Sequence, residues 1–164
     1  GNFFKNITNL KMYINVIGYL VMQTKLDNYI YSLRSNLLML YDSMNDNMLM
    51  LNLDKIDKSY MNKKSNILNL YIEKYYDETD DKDTWFNKIK ELSSELGYAK
   101  EVKEYKDNPD NYKGHVGDIS MVLRVALTTK TMTPDLYEIM NLLGKERIKE
   151  RFSKIKYYVS GNTG

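Results

Sequence analysis

Four places in this chain carry residue types that could do chemistry. His115, in "KGHVGD", is the single imidazole. A catalytic histidine needs a nucleophile or an orienting carboxylate within hydrogen-bond reach. Asp118 is close in sequence, but no nucleophile is marked, so His115 reads as a loop residue beside a tight turn. The tract "DETDDKD", Asp77 to Asp83, offers the carboxylates a hard cation wants, yet lacks the glycine and terminal glutamate of a calcium loop. It reads as a solvated connector. In "KERIKERFSKIK", the bases Lys145, Arg147, Lys149, Arg151, Lys154 and Lys156 oppose only Glu146 and Glu150. Such a row can contact phosphates, or it can be an ordinary solvated helix face with Glu150 and Lys154 spaced for an ion pair. Arg124 is the odd residue. It falls inside "MVLRVAL", among neighbours that want burial, and precedes Thr133 by nine residues. An arginine there either snorkels to solvent or meets a partner, because unpaired burial is costly. A planar donor fork near a helix start could read a base edge or clamp a phosphate. An internal salt bridge is the equal alternative.

These side chains need elements to hold them, and the chain of 164 residues is long enough for one domain or two small subdomains. Two prolines, eight glycines and dominant helical spacing point to an all-α fold. Leu10, Ile14, Ile17 and Val21 predict one amphipathic helix over 7–23, and Leu26, Ile30, Leu33, Leu37 and Leu40 a second over 26–41. Asn45 to Asn47 reads as a turn, and 53–76 as one long helix or two short ones. A helix from Thr84 stops at Gly97, "KDNPDNYKGHVGD" is loop, and a short apolar helix covers 120–128. In "TPDLYEIMNLLG", Thr133 suits the cap and Pro134 the first helical position, with Leu136, Ile139, Met140 and Leu143 inward and Gly144 as the stop. A final helix covers 145–159. The expected organisation is a helical subdomain over 1–76, a connector over 77–83 and a second subdomain over 84–160.

Composition excludes several functions. With no cysteine there is no disulfide or thiolate chemistry, and with one histidine a dedicated zinc site is not expected. No Gly-rich phosphate loop or nucleophile elbow occurs, so no catalytic residue and no metal ligand is assigned. A net charge of +2 is too small to argue for a polyanion partner unless charge segregates locally. The longest apolar run, Met12 to Met22, is too short to span a bilayer and reads as a buried helix. No small-residue cleavage site comes after it, so a signal peptide is not expected. A cytoplasmic location without a membrane partner is the expectation. The chain starts at Gly1 instead of Met, which suggests a fragment.

The stretch from Trp85 to Phe152, with its core "VGDISMVLRVALT" and "TPDLYEIMNLLGKERIKERF", resembles the C-terminal anticodon-binding region of bacterial glutamyl-tRNA synthetases, especially clostridial-type ones. The resemblance implies a helical bundle or cage of two small subdomains, of the class I aminoacyl-tRNA synthetase anticodon-binding type. It implies that Arg124, Thr133, Pro134 and Leu136 approach the first two anticodon bases. It makes Arg34, the only arginine before Arg124, a candidate for the third. Lys145, Arg147, Lys149 and Arg151 become candidates for phosphate contact. Relatives often carry glycine where this chain has Thr129, which puts the placement of the adjoining loop in question. The parent enzyme's HIGH-like and KMSKS-like motifs do not occur; "NKKSN" at 62–66 only superficially resembles the latter. The resemblance therefore implies an inactive fragment of a glutamate–tRNA ligase, needing no cofactor itself, whose parent uses ATP and magnesium. Its expected partners are tRNA and an N-terminal catalytic domain, and a monomer is expected. The alternatives are the anticodon module of a class I lysyl-tRNA synthetase and a helical protein–protein interaction module, the latter hinted at by the Tyr- and Met-rich N-terminal half.

Overall fold

A computed structural model describes residues 2–161. The chain divides into two compact units, residues 1–39 and 40–164. Among the described residues no strand forms, as the all-α reading of the sequence predicts, and eight helices succeed one another.

The first helix, α1 (Asn2–Met44), is continuous where two helices were expected. No glycine or proline lies between the two predicted segments, and "QTKLDN" holds nothing that breaks a helix. The predicted apolar stripe is not buried: Leu10 is 59% and Leu26 53% exposed, with Ile14, Ile17, Val21, Ile30, Leu33 and Leu37 also exposed. The reading of Met12 to Met22 as a buried helix is therefore corrected. Apolar residues also lie off the stripe, at Tyr13, Val16 and Leu20, so no single face is marked for a core. No described helix is long and apolar enough to cross a membrane.

The unit from residue 40 onward holds the core. Asn45, expected in a turn, caps α2 (Asp46–Leu51) by accepting from the Asn47 and Met48 amides. The segment 53–76 holds two short α-helices, one of the two arrangements expected, with a turn on either side. It contains a 3-10 turn at Leu53–Lys55, α3 (Lys58–Lys63), α4 (Ser65–Leu70) and a wide π turn at Tyr71–Tyr75. Asp57 caps α3 through the Tyr60 amide at 3.0 Å. α5 (Lys82–Glu95) begins two residues before Thr84, because the Asp81 carboxylate caps it through the Thr84 amide at 2.8 Å. Gly97 comes just after it with φ +86°, which lets the Tyr98 amide reach back to the Ser93 carbonyl at 2.8 Å. The loop 106–118 is partly helical: α6 (Val102–Asp107) and a 3-10 turn at Pro109–Asn111 precede α7 (Val116–Thr128). The last helix, α8 (Leu136–Val159), is broken at Gly144 (φ +78°, ψ 166°), where the sequence places a stop.

Ile67 and Leu68 of α4, Ile89 and Leu92 of α5, Ile119, Leu123 and Leu127 of α7, and Ile139, Ile148 and Ile155 of α8 are all buried in one cluster. Each such aliphatic side chain contributes about 1.5–3 kcal/mol. That cluster runs from Leu53 to Val159 and crosses the acidic tract. The tract is consequently not a connector between separate cores. Asp80 pairs with Lys88 at 2.6 Å, its carbonyl accepts from the Tyr137 hydroxyl at 2.8 Å, and Lys82 pairs with Asp135 at 2.5 Å. The first ties Asp80 to α5, and the other two tie 80–82 onto the start of α8. The division between compact units falls at 39/40 instead.

Candidate nucleic-acid interface

α7 carries Arg124 and is fixed at both ends. At its start His115 is the cap residue. Its Nδ1 accepts from the Gly117 amide at 3.0 Å, and the Asp118 carboxylate accepts from the His115 amide at 2.9 Å. This is a reciprocal capping box with imidazole in the usual hydroxyl's place. The ring's part here is to cap the helix. Gly117 is needed beside it, because a Cβ there would lie 2.6 Å from the imidazole Cε1.

At its end α7 closes on Thr129, whose φ of +62° and ψ of 7° are left-handed. The Thr129 amide donates to the Val125 carbonyl at 2.8 Å, closing a left-handed cap of the kind glycine usually makes. The glycine-like position suspected from sequence is thus real, and threonine occupies it while the chain still turns back toward α8. The Thr128 hydroxyl stabilises the turn by donating to the Arg124 carbonyl at 2.8 Å and accepting from the Lys130 amide at 3.1 Å.

Arg124 is half-buried and spans this turn. Its Nη1 donates to the Pro134 carbonyl at 3.1 Å, to the Thr133 hydroxyl, and distantly to the Thr133 carbonyl at 3.5 Å. Its partners are neutral oxygens. Among the described residues no carboxylate pairs with it, which removes the internal salt bridge. One nitrogen carries all these bonds, so the Nε and Nη2 donors are left for something else. Beyond it, Thr131 and Met132 form an exposed tip, with Met132 80% accessible.

Thr133 and Pro134 are half-buried beside Arg124 but do not begin α8. The cap is Asp135, which accepts from the Tyr137 amide at 3.1 Å, and Leu136 is the first helical residue. The Thr133 hydroxyl serves the turn, as partner of Arg124 and donor to the Pro134 carbonyl at 2.8 Å. It therefore cannot cap α8. Leu136 is buried, which places its side chain in the core and leaves only its backbone at the turn.

The basic row of α8 is divided by the fold. Lys145 and Lys149 are exposed. Lys154 pairs with Glu150 at 2.9 Å, as their spacing predicts, and Lys156 donates to the Asn69 side chain at 2.5 Å. Arg151 is corrected outright: it is 1% exposed and cannot face a phosphate. Its Nη1 donates to the Ser43 and Leu127 carbonyls, each at 2.7 Å. Its Nη2 donates to the Met44 carbonyl at 2.9 Å and the Asp46 carboxylate at 2.7 Å. Arg147 joins the same junction through Met44 and, at 3.0 Å, Asp46. Hydrogen bonds from Arg151 and then Arg147 hold the Asp46 carboxyl below the usual carboxylate range. Burial lowers the Arg151 guanidinium, opposed by Asp46. No spacing in the sequence links Arg151 to Asp46, 105 residues away, so this junction was not legible there.

The structure thus brings Arg124, Thr133 and Pro134 into one turn. Arg34 is an exposed residue of α1, within the unit 1–39. A comparison with known families matches residues 35–156 to the anticodon binding domain family. The chain belongs to that family. The match takes in the Arg124 turn and begins just after Arg34. The chain is 45% identical over 102 residues to a glutamate–tRNA ligase of Acetivibrio thermocellus, covering 62% of this chain and 18% of the relative. It is 52% identical over 82 residues to one from Clostridium perfringens (strain SM101), covering 50% of this chain and 15% of the relative. A Sorangium cellulosum glutamate–tRNA ligase is 47% identical over 79 residues, covering 48% and 14%. This anticodon-binding domain therefore spans under a fifth of the length of the relatives it matches. No solved structure matches the chain.

Proposed function

We propose that this chain recognises the anticodon loop of a tRNA as the anticodon-binding part of an ATP-dependent glutamate–tRNA ligase. The observation that carries the reading is the family match over 35–156, which encloses the turn where Arg124 keeps unpaired donors beside an exposed tip. Readers of single-stranded RNA hold splayed bases with donor forks and stacking planes, and a guanidinium supplies both. Thr133 and Pro134 fix that fork; Lys145 and Lys149 are the exposed cations of α8 for phosphate contact. Arg34 is assigned to the third anticodon base on the resemblance alone. ATP and magnesium belong to the parent enzyme's catalytic part, which with tRNA is the domain's partner, in the cytoplasm. The domain acts as a monomer.

Titration against tRNA bearing the glutamate anticodon, and against the same tRNA with single anticodon changes, tests this. Arg124→Ala should lose about 1–3 kcal/mol of discrimination at one anticodon base. An unchanged preference would remove Arg124 from the reading. Preference for the lysine tRNA would move the parent to a class I lysyl-tRNA synthetase. No tRNA binding at low salt, with a stable protein complex, would make the chain an interaction module.

A further inference from the structure

A second basic site lies at the opposite end of α7 from Arg124, assembled from three separate stretches of chain. Lys63 ends α3, Lys64 joins α3 to α4, and Lys113 lies in the return segment just before α7. Together with Asn66, Ile67, Leu96 and Tyr98 they line a cleft of about 130 Å³. That is room for roughly four waters at ~30 Å³ each, enough for a phosphate group.

The cleft is built on fixed parts. Tyr98 is buried along its ring, and its hydroxyl accepts from Lys64 Nζ at 2.6 Å. That hydrogen bond, foremost, raises Lys64 above the ordinary lysine value and keeps it charged. Lys113 is held by its amide, which donates to the Gly97 carbonyl at 2.9 Å, and its side-chain stem lies beside Gly97. The ammonium groups of Lys63 and Lys113 have no ion-pair or hydrogen-bond partner among the described residues. The acidic group nearest in influence is Asp118, which acts on Lys64 but is engaged with the His115 amide at 2.9 Å. Three lysines thus converge on one polar hollow with their charge largely uncompensated.

We infer that Lys63, Lys64 and Lys113 form a phosphate-contacting cleft for the RNA backbone, separate from the base-reading turn. The inference rests on the reading of this chain as an RNA binder. From Val116, at the cleft end of α7, to Arg124 is eight residues, about 12 Å at 1.5 Å per residue. A hairpin loop and its adjoining stem can bridge that span. Tyr60, partly exposed with its ring 6.0 Å from the Lys64 ammonium, adds an aromatic surface, the pairing of cations and rings that single-stranded RNA uses. Lys64 both contacts the anion and braces Tyr98, whereas Lys63 and Lys113 have no structural bond through their ammonium groups.

The test uses the whole chain and the double variant Lys63→Gln/Lys113→Gln, with tRNA carrying the glutamate anticodon and the same tRNA with an altered anticodon. Affinity should fall by the same factor for both, leaving their ratio unchanged. The slope of log affinity against log salt should become shallower by roughly 1.4–1.8, at about 0.7–0.9 for each phosphate no longer neutralised. Lys63→Arg/Lys113→Arg should retain most of the slope. If the wild type prefers the glutamate anticodon and the glutamine variant keeps both slope and affinity, the cleft is not a phosphate site and the anticodon reading stands. A change confined to one anticodon would also overturn it, by making the cleft a base reader. If the wild-type chain binds no RNA, the functional reading fails and the cleft falls with it.

Discussion

Two arginines meet the C-terminal end of α7 and do opposite things there. Arg124 leaves α7 sideways, uses one nitrogen on Thr133 and Pro134, and keeps the rest of its fork unbonded at the surface. Arg151 arrives from α8 and is saturated on both Nη nitrogens by Ser43, Met44, Leu127 and Asp46. The last carbonyls of a helix lack intrahelical partners, and the Ser43, Met44 and Leu127 carbonyls at the ends of α1 and α7 accept from this guanidinium. A buried cation there satisfies two helix ends at once and is favoured by their negative dipole ends. The residue type is the same in both places. Whether its Nη donors are used up internally or left over toward the surface decides whether it holds the fold or can serve a ligand.

The largest effect expected is on the closed side of that comparison. Arg151→Met should cost about 2–4 kcal/mol, because the Ser43 and Leu127 carbonyls lose this buried donor, while Met44 and Asp46 keep Arg147. A urea unfolding curve should show a much lower midpoint with little change in slope. A midpoint within experimental error of wild type would make the junction dispensable. Arg124→Ala should behave in reverse, with unfolding shifted by about 1 kcal/mol or less for its neutral hydrogen bonds. Its larger loss, in anticodon preference, appears only in binding. If Arg124→Ala unfolds the protein as readily as Arg151→Met, the two arginines do not differ in kind.

Thr129→Gly sharpens the comparison from the backbone that joins the two arginines. A non-glycine residue in the left-handed region costs of order 1–3 kcal/mol, partly offset by the extra chain entropy glycine loses, so a gain near 1 kcal/mol is expected. Thermal unfolding would show it, and a lower midpoint would mean the Thr129 side chain does more than occupy the cap. The smallest effect is in acid. Asp46 has its folded pKa below the unfolded value, so its contribution is complete above the unfolded carboxylate range and is lost as pH falls through the lowered folded value. Asp46→Asn should flatten that acid limb below the ordinary carboxylate range, read as urea midpoint against pH. An acid limb identical to wild type would place the effect on other carboxylates.

Much of the helical order was legible because local signals sufficed. Gly144 stops a helix where expected, Glu150 and Lys154 pair as their spacing requires, and α7 and α8 bury the predicted apolar positions. Caps were less legible where two oxygens competed. Thr133 looked like the cap of α8, but Arg124 claims its hydroxyl, and Asp135 takes the role. The basic row of α8 was legible as charge and not as surface, since Asp46 and the helix ends draw Arg151 inward. The lysine cleft was invisible: "NKKSN" drew notice for an unrelated motif, and Lys113 stands 49 positions beyond Lys64.

What the sequence determined by itself was local: helical periodicity, glycine and proline punctuation, the absence of cysteine chemistry, and the long stretch around Arg124 shared with glutamate–tRNA ligases. Those come from steric and hydrogen-bonding preferences over a few residues, or from likeness along the chain. What only the tertiary structure decided was which polar groups are satisfied internally and which apolar faces are covered. Arg151 and Arg124 are alike in sequence until their neighbours are known, and the apolar residues of α1 mark faces without saying what lies against them. Partners for a donor or an apolar face come from residues far apart in the chain, so burial and satisfaction are set when the helices pack.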